Sequence, residues 1–272
     1  MKLGVCSWSL EPKSVGELVE RVSATGLGSV QLALDPLVEW GLEETRDALG
    51  SAGISILSGM MMMSGEDYTT LDSIRDTGGV RGDEHWEANL AAVTRNGKAA
   101  AQLGLDLVTF HAGFIPHEAG ALRDKMLGRL REVVDRFADC GVRVALETGQ
   151  ESAETLLDAL AALDRPEVGV NFDPANMILY GMGDPIAAVD ALAPRIAQVH
   201  LKDAAPTEAA GEWGTEVVFG TGSVNTDAFF TRVAALDPAV DALIEREAGD
   251  QRVTDIAAAR AVAEAWLERS SS

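Results

Sequence analysis

Four apolar runs in this chain end abruptly in ionisable side chains. They read Val-Ala-Leu-Glu147-Thr, Val-Asn-Phe-Asp173-Pro, Val-His200-Leu-Lys202-Asp and Leu-Ile-Glu245-Arg-Glu. Three carboxylates and one imidazole gathered in one place repel one another and lose their hydration unless a cation compensates them. With a divalent ion they become a coordination sphere of oxygens and a single nitrogen. That donor set suits Mn²⁺ or Mg²⁺ and admits Co²⁺ or Zn²⁺. Each residue alone has an ordinary alternative, since a strand-end acid can cap the next helix and a lone histidine can be a hydrogen-bonded core group. Four of them on consecutive elements favour the metal.

The elements must bring those ends together. Short β-branched or apolar runs alternate with amphipathic helical stretches along the whole chain, which predicts parallel strands joined by helices. Eight strands are read at 2–9, 29–35, 54–61, 105–113, 142–149, 168–173, 196–203 and 240–247. Between them, Val15, Leu18, Val19 and Val22 recur at helical spacing behind a Ser14-x-x-Glu17 capping box. Leu122, Met126, Leu130, Val133, Val134 and Phe137 form a second stripe, and Val253, Ile256, Ala259, Ala263, Trp266 and Leu267 a third. Gly26, Gly53, Gly104 and Gly141 stand where left-handed C-caps would end helices before the next strand. No G-x-G-x-x-G follows the first strand, which removes the main support for a dinucleotide-binding sheet. The expectation is an α/β protein with one (β/α)₈ TIM-barrel domain over 1–269 and a frayed tail at 270–272. In such a barrel the C-terminal strand ends share one mouth, where the chemistry sits.

Two gaps between strands are too long for one helix. The insertions they contain, 62–84 and 204–225, both follow strands and so belong to the catalytic face. Interior glycines with Tyr68 and Trp213 make each a candidate lid, against the alternative of a plain surface loop. Gly220-Thr221-Gly222 could accept a phosphate through backbone N–H groups or simply turn the chain.

With 272 residues, the chain is close to the ~250 of a typical barrel. Its formal net charge of −21 opposes nucleic acid and anionic membrane surfaces, and no basic run supplies a local exception. Two cysteines make no disulfide framework or zinc motif. No stretch resembles a signal peptide or a membrane span, so a cytoplasmic protein is expected. A homo-oligomer stays open.

The motifs around Glu147, Asp173, His200 and Glu245 resemble those of the sugar phosphate isomerase/epimerase family. This belongs to the xylose isomerase-like TIM-barrel superfamily, and the likeness runs from Gly4-Val5-Cys6-Ser7 to the last helix. The resemblance implies that Glu147, Asp173, His200 and Glu245 hold one divalent metal ion, Mn²⁺ first. It also implies that Glu147 and Glu245 act as an acid/base pair. The reaction would move a proton at carbon next to a carbonyl, through an enediolate, in a small sugar or sugar derivative. Positioned acid/base groups contribute roughly 10²–10⁴-fold to such a step. His111 could bind a sugar hydroxyl or relay a proton, and Lys202 could hold an oxygen or neutralise the acidic rim. Trp8 could stack on a sugar face or pack in the core. Gln150 and Glu151 could support Glu147, and Arg246, alternating with Glu245, could point away from the lumen.

Asn176 stands where ketose 3-epimerases carry a histidine, which departs from the ketohexose pattern. The DNA-cleaving branch of the superfamily needs a three-metal cluster, beyond what His85, His111, His117 and His200 can supply. An alternative in the same barrel is a metal-dependent lyase or hydrolase of 3-keto-glycosides, which starts from the same α-proton. A barrel that binds sugar without turning it over is a third reading, opposed by intact Glu147 and Glu245.

Overall fold

The computed structural model describes residues 1–209 and 211–270. Eight parallel strands close on one another in the order β1-β10-β7-β6-β5-β4-β3-β2. They are β1 Leu3–Cys6, β2 Ser29–Ala33, β3 Ser55–Met60, β4 Leu107–Phe110, β5 Arg143–Glu147, β6 Gly169–Phe172, β7 Ile196–Leu201 and β10 Asp241–Ile244. Two further strands, β8 Asp203–Ala205 and β9 Thr215–Val217, form a separate antiparallel hairpin. The chain is a TIM barrel, as the alternation of strand and helix patterns predicts. Among the described residues, no helix is long and apolar enough to cross a membrane.

The helical stripes face the barrel. Leu18 and Val22 are fully buried, as are Leu130, Val133 and Phe137 in the helix Ala121–Ala138. The four C-terminal glycines all adopt φ between 71° and 74°, the left-handed conformation that costs glycine least. The capping box at Ser14 is only half formed. Ser14 accepts the Glu17 N–H at 3.3 Å, but the Glu17 carboxylate accepts from Lys13 N–H, one residue earlier than the motif requires. At the other end, the helix Arg252–Ser270 takes in Ser270, whose hydroxyl donates to the Trp266 carbonyl. The expected frayed tail therefore excludes Ser270, and 271–272 lie outside the described residues.

The strands are shorter than the sequence pattern suggests, and this sets the site. β1 stops at Cys6 and continues as one 3-10 turn, Ser7–Leu10, that carries Trp8. His111 and Glu245 each stand one residue past a strand end, and Lys202 separates β7 from β8. Leu201 pairs with Ile244, so Lys202 and Glu245 leave the barrel at the same level.

The lumen is polar, where TIM barrels ordinarily stack Val, Ile and Leu. Ser58 on β3 donates to Gln198 Oε1 on β7 at 2.5 Å, straight across the barrel. Gln198 Nε2 donates to Asn171 Oδ1 at 3.1 Å, and Gln31 Nε2 donates to Thr109 Oγ1 at 2.8 Å. All five are buried and bonded, as polar groups removed from water must be.

Both insertions are structured. Residues 62–84 contain the helix Leu71–Thr77, closed by a reciprocal Thr70–Ser73 cap. In the second insertion, Asp203 accepts from the backbone N–H groups of Ala204, Gly220, Gly222 and Val224 at 2.9–3.0 Å. Of the two readings of Gly220-Thr221-Gly222, the turn stands and the phosphate site falls. The amides of both glycines are already committed to an internal carboxylate, and a Cβ on Gly222 would stand 2.3 Å from Asp203 Oδ1.

Candidate metal and active site

Glu147 ends β5, Asp173 follows β6, His200 lies within β7 and Glu245 follows β10. Their ligand atoms all fall within 4.8 Å of one another, and all four side chains are buried. His200 Nδ1 is 3.4 Å from Glu147 Oε1, 3.4 Å from Glu245 Oε2 and 3.7 Å from Asp173 Oδ2. Asp173 caps the helix Pro174–Leu179 with Oδ1, which accepts from Ala175 and Asn176 N–H. Its other oxygen, Oδ2, and His200 Nδ1 are buried without a hydrogen-bond partner. Two orphaned ligand atoms facing two more carboxylates fit a divalent cation of oxygen preference.

The surroundings fix each ligand. His200 Nε2 lies 2.8 Å from Gln31 Oε1 and 3.0 Å from Asn171 Nδ2; a proton on Nε2 donates to the closer Gln31 oxygen and leaves the Nδ1 lone pair for the carboxylate side. Cys6 Sγ also lies on the Nε2 side, at 3.6 Å, and burial pushes its thiol up to about 12. With no ion bound it stays protonated; its sulfur also lies within 4.8 Å of ligand atoms of His200 and Glu245. Glu147 Oε2 accepts from Asn171 Nδ2 and Oε1 from Asn176 Nδ2, at 3.2 and 3.0 Å. Glu245 is held at both ends, Oε1 by the Trp8 indole N–H at 2.7 Å and Oε2 by Lys202 Nζ at 2.9 Å.

These contacts tune the charges. Burial favours the neutral form of Glu245, but Lys202 and His200 outweigh it and hold the carboxyl well below its usual range. Glu147 is lowered against the same burial by His111 and His200. Asp173 is raised, because burial exceeds the help from Lys202. Burial opposes charge on His200, and Cys6 together with the carboxylates of Glu147, Glu245 and Asp173 raises it well above the ordinary imidazole value.

Above the cluster opens a cavity of about 320 Å³. Trp8, His111, Asn176, Lys202 and Glu245 line its floor and sides. His111 Nε2 is 3.7 Å from Glu147 Oε1. Both insertions contribute walls: Met62 and Tyr68 from the first, Trp213 and Glu216 from the second. Three of the expected residues lie outside this cavity. Arg246 faces away from the mouth, with its guanidinium 2.7 Å from Glu216 Oε1 and 2.9 Å from Asp255 Oδ2. Gln150 and Glu151 line a neighbouring cavity.

Sequence reasoning missed Glu247, which pairs with Lys202 at 2.6 Å and lines the mouth. Its signal was the i, i+2 relation to Glu245, which puts both on one side of an extended chain. Gln31 and Asn171 were also missed. Each is a lone amide inside an apolar strand run, and each needs a partner across the lumen. Tyr180 carried no signal.

Residues 19–269 match the family model described as xylose isomerase-like TIM barrel. Among solved structures, a xylose isomerase domain protein from Planctomyces limnophilus superposes with a TM-score of 0.89 at 28% identity, over 98% of this chain and 97% of that one. The probable 3-DHS dehydratase AsbF from Bacillus anthracis shares 20% identity at a TM-score of 0.74, over 97% and 99% of the two chains. An L-ribulose 3-epimerase shares 16% identity at 0.75, over 99% and 95%. No curated protein matches the chain.

Proposed function

Since this chain belongs to the xylose isomerase-like TIM barrel family, we propose that it is a divalent-metal-dependent sugar isomerase or epimerase. The observation that carries this reading is the pair of unpartnered buried atoms, Asp173 Oδ2 and His200 Nδ1, set between Glu147 and Glu245. Those four residues would hold the ion, with Mn²⁺ preferred. When bound, the ion supplies the positive charge that polarises a substrate carbonyl and stabilises the enediolate oxygen.

The chain's own residues do the rest. Glu245 lines the mouth and exchanges a proton at Oε1, the oxygen away from Lys202, where the Trp8 N–H steadies its negative form. Glu147 carries out the complementary transfer, with Asn176 fixing Oε1 and His111 beside it. Lys202 bridges Glu245 and Asn176, at 2.9 and 3.4 Å, and orients both. Tyr68 and Trp213 narrow the mouth and exclude water, which strengthens every charge interaction inside it.

The second cavity beside the mouth favours one other reading, a lyase or hydrolase of 3-keto-glycosides, because it offers room for a leaving group. One experiment tests both. The Mn²⁺-loaded protein is incubated in D₂O with free ketoses, sugar phosphates and 3-keto-glycosides. An isomerase or epimerase returns a sugar carrying deuterium at the carbon next to the carbonyl, whereas a lyase releases an aglycone. Turnover of any of these without exchange at an α-carbon would refute the proton-transfer mechanism.

A further inference from the structure

The second cavity, of about 410 Å³, opens on the β4–β5 side of the mouth. Phe114, Ile115, Pro116 and Met182 give it apolar walls. It adjoins the mouth at one aromatic contact. Phe114 lines the outer cavity and Tyr180 the mouth, and their rings meet edge to face with centroids 5.6 Å apart.

The polar groups here are uncharged or compensated. Gln150 is 3% exposed; neither Nε2 nor Oε1 makes a hydrogen bond of full geometry, and the Tyr180 hydroxyl at the edge of the mouth is near enough to interact with one end of the amide. Leaving buried polar atoms underpaired is costly, so an amide with at least one end unfilled is a place for a hydroxyl, which donates and accepts together. Glu151 beside it is buried, and burial pushes its carboxyl up to about 8. At neutral pH it is protonated, and it too both donates and accepts. Arg75 and Arg81, at the insertion side, are paired with Asp72 and Asp76, and the Arg75 guanidinium also lies over the Phe114 ring at 5.7 Å, so a ligand ring meets the remaining part of that aromatic wall. Such a surface suits an uncharged ring carrying hydroxyl groups, with its faces against Phe114 and Met182.

We propose that this cavity is an outer subsite for an uncharged, hydroxyl-bearing ring joined to the sugar in the mouth, so that the substrate has two rings. The inference rests on the reading of the mouth as a sugar site. The second ring could be another sugar or a phenol, which share this chemistry.

Calorimetric titration of the Mn²⁺-loaded protein separates the outcomes. The probes are glucose, galactose and xylose, each as methyl, phenyl and 4-hydroxyphenyl glycoside, together with maltose, lactose and xylobiose. A hydroxylated second ring should tighten binding at least tenfold over the methyl glycoside for one of these sugars. Whether the gain appears with a disaccharide or a 4-hydroxyphenyl glycoside tells sugar from phenol. Met182→Trp, which fills the outer cavity, should remove the gain. Gln150→Leu should bring the hydroxylated ring down to its unhydroxylated or methyl counterpart. The two substitutions act on different walls, so misfolding of one leaves the other to decide. Methyl glycosides that bind with no gain from any second ring would overturn the subsite and leave the sugar reading standing. A gain that survives in a folded variant would overturn it as well. If no probe binds, the subsite falls, and the sugar reading is decided separately by the deuterium-exchange screen.

Discussion

Lys202 Nζ lies 2.9 Å from Glu245 Oε2, and both groups are buried at the rim of the barrel. A buried carboxylate tied to an ammonium stays ionised and keeps its direction, but the same ammonium competes with any cation for that oxygen. Together with His200, Lys202 supplies positive charge among the carboxylates of Glu147, Asp173 and Glu245.

Metal binding must therefore displace a proton from His200. Its imidazole is raised well above the ordinary value, so the charged form persists into the neutral range when no ion is bound. Affinity for Mn²⁺ should rise with pH, because deprotonation frees Nδ1 as a ligand. Calorimetry in buffers of differing ionisation enthalpy should find one ion per chain and net proton release. A stoichiometry near zero, or affinity that falls as pH rises, would contradict the assignment.

Gln31 has no place among the ligands, yet it holds His200 by Nε2. Gln31→Leu should weaken Mn²⁺ binding by roughly 10–100-fold, the range seen when a hydrogen-bond partner behind a metal ligand is removed. The fold should survive, since the substitution keeps the volume of a buried side chain. Unchanged affinity would show that the amide plays no part in orienting the ring.

Glu147→Gln and Glu245→Gln should each abolish measurable turnover of whichever substrate the deuterium screen identifies. The double variant should be little worse than either, because a two-proton relay fails as a unit. Additive losses would separate the two residues.

The segment 62–84 brings Met62 and Tyr68 to the mouth. Its amides should gain hydrogen-exchange protection when a substrate or polyol inhibitor binds, since a proton-transfer site gains from excluding water. Unchanged exchange at saturating ligand would make it a fixed wall.

Glu151 gives a pH signature apart from the metal. The folded carboxyl titrates near 8, whereas the unfolded one titrates in the ordinary carboxylate range. The folded state thus binds the proton more tightly, and stability falls as pH rises from the unfolded value through about 8. Glu151→Gln should remove this loss. Denaturant titrations should show the variant gaining more than ~1 kcal/mol on the parent between pH 5 and pH 8. A constant difference across that range would mean that Glu151 is not buried in its acid form.

The barrel and the ends of its strands were legible in the sequence because both depend on local rules. Period-2 and period-3.6 hydrophobicity, glycine C-caps and their alternation specify a (β/α)₈ chain, and an acid that interrupts an apolar run marks a strand end. Glu147, Asp173 and Glu245 could be picked out for that reason, and His200 as an imidazole in the apolar run of β7. Tertiary structure decided which atoms meet. A strand pattern cannot say that Ser58 and Gln198 bond across the lumen, that Trp8 leaves β1 on a 3-10 turn to reach Glu245, or that Arg246, whose outward direction the alternation does suggest, meets Glu216 and Asp255. Nor can Gly220-Thr221-Gly222 reveal that its amides serve Asp203, because a turn's sequence fixes its shape and not its acceptor. These pairings join residues far apart in the chain, and they exist only once closure of the barrel sets the register between strands.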